Sequence, residues 1–149
     1  MANTFTQIYI HFVFSVKSRQ PFILPSFKEE LHKYITGIIK KRNCVLLAIN
    51  SMSDHIHLFI AIIPDISISS LMREVKAISS KFINEKKYIP YRFEWQEGYG
   101  AFSYSHSQKE NVIKYILNQE EHHKKRDFKE EYLEMLKLFN ITYEEKYVF

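Results

Sequence analysis

The chain has 149 residues, a formal net charge of +4 and a hydrophobic fraction of 46%, which is enough apolar material for a packed core and too much for wholesale disorder. Three glycines and four prolines exclude collagen-like repeats and long flexible linkers, and no run approaches the ~18 apolar residues that span a bilayer. The single cysteine, Cys44, excludes an internal disulfide and suits a reducing compartment.

No charged segment followed by a long apolar run opens the chain, so the reading is a cytoplasmic protein without a secretory signal. The length fits one domain over residues 1–149. A mild basic excess is compatible with a phosphate-bearing partner and does not single one out.

Residues 7–16 alternate. Ile8, Ile10, Phe12, Phe14 and Val16 share one face and Tyr9, His11, Val13 and Ser15 the other, which predicts a strand buried mainly on one side. A loop with two prolines follows at 18–25. Ser26 and Glu29 match the S-x-x-E capping box, opening a helix with the apolar stripe Leu31, Tyr34, Ile35, Ile38 and Ile39. Residues 44–50 predict a second strand, 51–54 a turn, and 55–63 a third strand returning as a hairpin and ended by Pro64 and Asp65.

A second helix is expected from 67 to near 87, where Leu71, Val75, Ile78 and Phe82 recur at helical spacing with Arg73, Lys76, Lys81 and Lys86 between them. Residues 91–96 predict a fourth strand, and Gly98-Tyr99-Gly100 a flexible joint. A third helix is expected from Ser107, where Ser107 and Glu110 repeat the capping-box pattern, to His123. Asp127 and Glu130 cap a last helix carrying Phe128, Leu133, Leu136 and Phe139. The order predicts an α+β fold on the β-α-β-β-α-β ferredoxin-like plan, an antiparallel sheet with two helices on one face and further C-terminal helices. That plan alone fixes no function.

Two stretches carry chemistry. In Asp54-His55-Ile56-His57-Leu58-Phe59-Ile60 the strand alternation puts His55 and His57 on one face and Ile56 on the other. Two imidazoles side by side suit a divalent metal, and they also suit a hydrogen-bonded strand edge; without partners, burying them costs roughly 1–3 kcal/mol each. In Tyr115-Ile116-Leu117-Asn118-Gln119 a phenol and an amide stand four residues apart on one helix face. Helical angles place both at the border of the side defined by Val112, Ile113, Ile116 and Leu117, half-covered and still reachable. A tyrosine with its ring on the core and its hydroxyl wet would sit there too.

The chain resembles the single-tyrosine HUH transposases of small bacterial insertion sequences. HUH stands for His, bulky hydrophobe, His, here His55-Ile56-His57. The likeness also lies in Tyr9-Ile10-His11-Phe12-Val13-Phe14, in Trp95-Gln96 with Gly98-Tyr99-Gly100-Ala101-Phe102-Ser103, and in the Tyr115–Gln119 block followed by His122-His123. These blocks come in the family's order and cover most of the chain. The resemblance implies that His55 and His57 bind a metal, that Gln119 completes its site and that Tyr115 attacks a DNA phosphate and stays joined to the 5′-phosphate. Gln119 stands where related rolling-circle initiators often carry a second tyrosine, and relaxases complete the site with a third histidine.

The implied metal is Mg²⁺ or Mn²⁺, the implied substrate single-stranded DNA with a hairpin near the cut, and the implied assembly a homodimer whose tyrosine helix can pass to the partner, with Gly98 and Gly100 as the hinge. No phosphate-loop motif is present, so no nucleotide cofactor is expected, and no membrane. Secondary candidates are His122 and His123, at the metal or the phosphate or simply capping a helix end. Lys124-Lys125-Arg126 suits a DNA backbone or a plain charged surface. Trp95, Tyr99, Phe102 and Tyr104 suit base stacking or the core. His11 is expected to be structural. Two other functions fit parts of the pattern: a hairpin-binding protein that has lost its chemistry, and a phosphoesterase using the histidines with water as nucleophile.

Overall fold

The computed structural model describes residues 4–124 and 126–148. Its strands β1 (Tyr9–Ser15), β2 (Val45–Ser51), β3 (His55–Ala61) and β4 (Gly100–Tyr104) form one antiparallel sheet in the order β2-β3-β1-β4. Helices α1 (Lys28–Lys41) and α2 (Ile68–Lys86) fill the two crossovers. This is the ferredoxin-like plan, with α3 (Lys109–Leu117), α4 (Gln119–His123) and α5 (Phe128–Leu138) added at the C-terminal end. Among the described residues no helix is long and apolar enough to cross a membrane.

The pleat sorts the side chains. Phe12 and Phe14 of β1 and Ile56, Leu58 and Ile60 of β3 point to the α1/α2 side, where they pack with Leu31, Ile35, Ile39, Leu71 and Val75. The alternate residues His11, Val13, Ser15, His55, His57 and Phe59 point the other way. There Val112 and Ile116 of α3 cover Phe59 and Ala48, and Phe128, Tyr132, Met135 and Leu136 of α5 cover Val13 and Phe102. The expectation of a first strand buried mainly on one side therefore needs correcting: Phe12 to Ser15 are all buried, because the C-terminal helices roof the second face.

Residues 91–96 do not form the fourth strand; Gly100–Tyr104 does, pairing with β1. The alternation of Phe93 and Trp95 is real, since both are buried, but the segment makes an isolated antiparallel bridge, Trp95 to Val16, rather than a strand, and side-chain amides supply further partners. Asn84 brackets Phe93, accepting from its N–H at 2.7 Å and donating to its carbonyl at 3.0 Å. The Gln96 amide oxygen accepts from the Ser15 N–H at 2.8 Å. Lys76 of α2 donates to the carbonyls of Gln96, Glu97 and Gly98 and pins this segment.

Within the expected joint at 98–100, Gly98 is exposed and Gly100 is packed. Gly100 is buried and paired with Val13, and a Cβ there would lie 2.8 Å from the Tyr132 ring. Its role is close packing of α5 on β4.

Helix starts differ in detail. Phe27 precedes α1 and no side chain caps it, so the Ser26 box does not form. The second box forms two residues early, between Ser105 and Gln108. Ser67 caps α2 through the Ser70 N–H, and Asp127 caps α5 through the Glu130 N–H. The long third helix breaks at Asn118 (φ −96°, ψ 25°), giving α3 and α4.

Candidate active site

His55 and His57 leave β3 on the same face and are fully buried. The Asp54 carboxylate can only accept, so Nδ1 of His55 donates to it at 2.7 Å. That fixes the ring and leaves Nε2 facing inward. The His55 ring is stacked on Phe128, with centroids 3.9 Å apart. His57 is held from the neighbouring strand: its Nδ1 lies 2.8 Å from Nε2 of His11, a diagonal neighbour across the β1–β3 ladder. His11 is therefore the support of His57, and its own Nδ1 has no partner among the described residues.

Both imidazoles face a residue to which the sequence reading gives no role. Glu131 of α5 is fully buried. Its Oε1 lies 3.2 Å from Nε2 of His57 and 3.6 Å from Nε2 of His55. Its Oε2 accepts from the Tyr115 hydroxyl in a short hydrogen bond and from the Gln119 amide at 3.3 Å.

The helix break at Asn118 does not separate Tyr115 from Gln119, because the Gln119 amide also donates to the Tyr115 carbonyl at 3.3 Å. Oε1 of Gln119 stands 3.4 Å from Nε2 of His55 and 3.0 Å from Nε2 of His123. His55, His57, Tyr115, Gln119 and His123 thus converge within one chain. His122 flanks the group, its ring 4.5 Å from that of Tyr115 and its Nε2 unpartnered among the described residues.

Burial sets the protonation pattern and Glu131 modulates it. Burial pushes His57 down to about 4, against the pull of the Glu131 carboxylate. His11 is likewise held well below its ordinary value by burial and by His57 beside it. Burial alone would raise the Glu131 carboxyl; hydrogen bonds from His123 and His57, the charge of His57 and the Tyr115 hydroxyl outweigh it and hold the group low. Burial and then the Glu131 charge push the Tyr115 phenol up, with Arg126 opposing. His123 is raised: burial opposes, and Glu131 and Asp54 prevail.

The donor set fits a divalent cation. One nitrogen each from His55 and His57 and one oxygen of Glu131 lie within 4.8 Å of one another, all from buried residues. Gln119 adds an amide oxygen beside His55. Such a mixed nitrogen and oxygen set accepts Mg²⁺, Mn²⁺ or Zn²⁺.

Elsewhere the candidates disperse. Lys124 pairs with Glu121 at 3.0 Å, Lys125 lies outside the described residues, and Arg126 pairs with Glu134 and donates to the Tyr115 hydroxyl at 3.4 Å. Trp95 and Phe102 are buried in the two cores, so neither is placed to stack on a base.

One signal for Glu131 was present in the sequence. It lies three residues after Phe128 and four before Met135, on the buried stripe of α5, and a carboxylate on an apolar stripe calls for a partner. Reading the stripe through Leu133 instead hides it, and Leu133 is only half-buried.

Together the fold and the site define a ferredoxin-like domain with a buried histidine pair and a tyrosine meeting at one carboxylate. The chain belongs to the IS200-like transposase family, whose profile matches residues 4–119. Among solved structures, a putative transposase from Deinococcus radiodurans R1 has a TM-score of 0.64 at 19% identity, over 80% of this chain and 95% of its own. The REP-associated tyrosine transposase bound to a REP hairpin has a TM-score of 0.63 at 16% identity, over 83% and 73%. At these identities the likeness bears on the fold. No curated protein matches the chain by sequence.

Proposed function

We propose that this protein is a metal-dependent transposase that cuts and rejoins single-stranded DNA at hairpin-marked ends, with Tyr115 as nucleophile. One observation carries the reading: the Tyr115 hydroxyl and the His55/His57 pair share a single buried carboxylate, Glu131. A nucleophile and a cation site that close have one phosphate in common reach. The REP hairpin bound by the structural neighbour supports a hairpin substrate, and family membership supports DNA transposition.

In this reading His55 and His57 would hold Mg²⁺ or Mn²⁺, and Gln119 and Glu131 would supply oxygen ligands. When bound, the cation polarises the scissile phosphate and offsets the charge that develops on it. Asp54 and His11 keep the two rings aimed at the site. At rest the shared proton stays on the phenol, since Tyr115 is raised and Glu131 lowered, so the nucleophile is not ionised in the absence of substrate.

In the reaction the Tyr115 Oη–P bond forms, the phenolic proton leaves toward Glu131 Oε2, the P–O3′ bond breaks and the freed O3′ is protonated. The 5′-phosphate remains on Tyr115, and a 3′-hydroxyl reverses the step to rejoin the strand. The bond energy is conserved in the phosphotyrosine, so no nucleotide is consumed. The reading includes a homodimer, although every residue of the described site comes from one chain.

The test is a covalent adduct. With Mn²⁺ and a hairpin oligonucleotide, the wild-type chain should form a denaturation-resistant protein–DNA species, and Tyr115→Phe should form none. Strand hydrolysis without an adduct, unchanged in Tyr115→Phe, would favour water as the nucleophile and refute this reading.

A further inference from the structure

Tyr115 borders two spaces. Its hydroxyl meets Glu131 and its ring lies edge-to-face with His57 at 6.2 Å, and the same residue lines a groove between α3 and α5 of about 430 Å³. The groove is lined by buried Val112 and Met135, by the half-buried Tyr104 ring, and by the exposed side chains of Leu138, Gln108 and Asn111. Its size lies in the range of small-ligand sites, and an apolar, aromatic slot with amides at the edge is what an unpaired base requires.

Arg126 stands at the mouth of this groove. It donates to the Tyr115 hydroxyl at 3.4 Å and pairs with Glu134, a half-exposed groove residue. A planar guanidinium beside the attacking hydroxyl matches a phosphate oxygen in both charge and geometry.

We propose that this groove seats the nucleotide next to the scissile phosphate, and that Arg126 grips that phosphate after exchanging Glu134 for it. The proposal rests on the reading of Tyr115 as the nucleophile. Glu134 occupies the guanidinium while no DNA is present, so it competes with the substrate. The two partners of one ion pair therefore act in opposite directions, an outcome that a structural ion pair does not give.

The test compares wild type, Arg126→Gln and Glu134→Gln in adduct formation with Mn²⁺ across a range of hairpin-oligonucleotide concentrations, after thermal melting shows that the variants are folded. Arg126→Gln should raise the half-saturating concentration about tenfold, the worth of one charge-assisted contact. Glu134→Gln should lower it. An abasic residue on one side of the cut should raise it for the wild type. Parallel losses in both variants, or no change in either, would overturn the phosphate contact; indifference to abasic sites on both sides would overturn the base seat.

The outcome separates from that of the parent reading. If the wild type forms no adduct, anisotropy of a labelled oligonucleotide with Tyr115→Phe as background still ranks the variants. The same opposed ranking there would uphold the groove while the cutting reaction fails, and equal binding by all would refute the groove.

Discussion

Both faces of this sheet are buried, and they differ in the polar groups they bury. Toward α1 and α2 the strands present Phe12, Phe14, Ile56, Leu58 and Ile60, all with no exposure. Toward α3, α4 and α5 the same strands present His11, Ser15, His55 and His57, also essentially unexposed. The first face is an ordinary hydrophobic core. The second buries imidazoles, a hydroxyl and a carboxylate, and leaves His11 Nδ1 and Ser15 Oγ without partners among the described residues. Unpartnered buried polar atoms cost stability. A fold that keeps them beneath three helices is spending the stability of one face on the chemistry of the other.

This contrast is open to direct test. Leu58→Ala, on the apolar face, should lose about 3–5 kcal/mol of unfolding free energy through lost burial and a residual cavity, measured by urea titration. A loss below about 1 kcal/mol would mean that the apolar face is not the stabilising one. Acidification should act mainly through the polar face. His57 has a folded value near 4, below its unfolded value near 6.5, so the unfolded chain binds more protons between these values. Stability is therefore present above pH 6.5 and is lost as pH falls toward 4.

At pH 5 the loss from His57 is about 2 kcal/mol relative to pH 7. His32, lowered to about 4 by burial and then by Lys28, adds in the same direction. Glu131, held low, loses its contribution only below the ordinary carboxylate range, and raised His123 acts oppositely, stabilising below pH 6.5. Denaturant titrations at pH 7 and pH 5 measure the sum, and a flat profile would contradict the placement of His57.

Gly100→Ala should cost about 1–3 kcal/mol by overpacking against Tyr132, and it should do so with and without DNA, unlike a hinge mutation. The smallest effect on stability belongs to Asp54→Ala. Unfolding should shift by about 1 kcal/mol, whereas Mn²⁺ affinity measured by calorimetry should fall by roughly 10- to 100-fold through loss of the His55 support. Unchanged affinity would show that Asp54 does not orient the site.

Much of this was legible in the residues. Period-2 alternation marked β1 because its two faces pack against different layers, and the i, i+2 spacing of His55 and His57 put both on one face without further information. Asp127 announced its helix because one side-chain oxygen suffices to cap. What escaped depended on contacts distant in sequence. Phe93 and Trp95 alternate like a strand, yet the pairing stops at an isolated bridge from Trp95 to Val16 and the Asn84 amide takes both backbone groups of Phe93, and no local pattern distinguishes an amide from a ladder. The carboxylate at the centre came from α5, beyond the segment that matches the family. Gly100 looked like a joint because Tyr132, which presses on it, is a neighbour only in space.

The tryptophan at position 95 is the only one in the chain. It lies against Phe14 and Phe93, and its indole N–H donates to Ser79 at 2.9 Å. Its intrinsic fluorescence therefore reports from the α1/α2 layer and is blind to the imidazoles on the far side of the sheet. An optical melt will record the collapse of the hydrophobic layer while nuclear resonance of the histidine rings follows the other layer, so the two halves of the molecule can be watched separately without any added label.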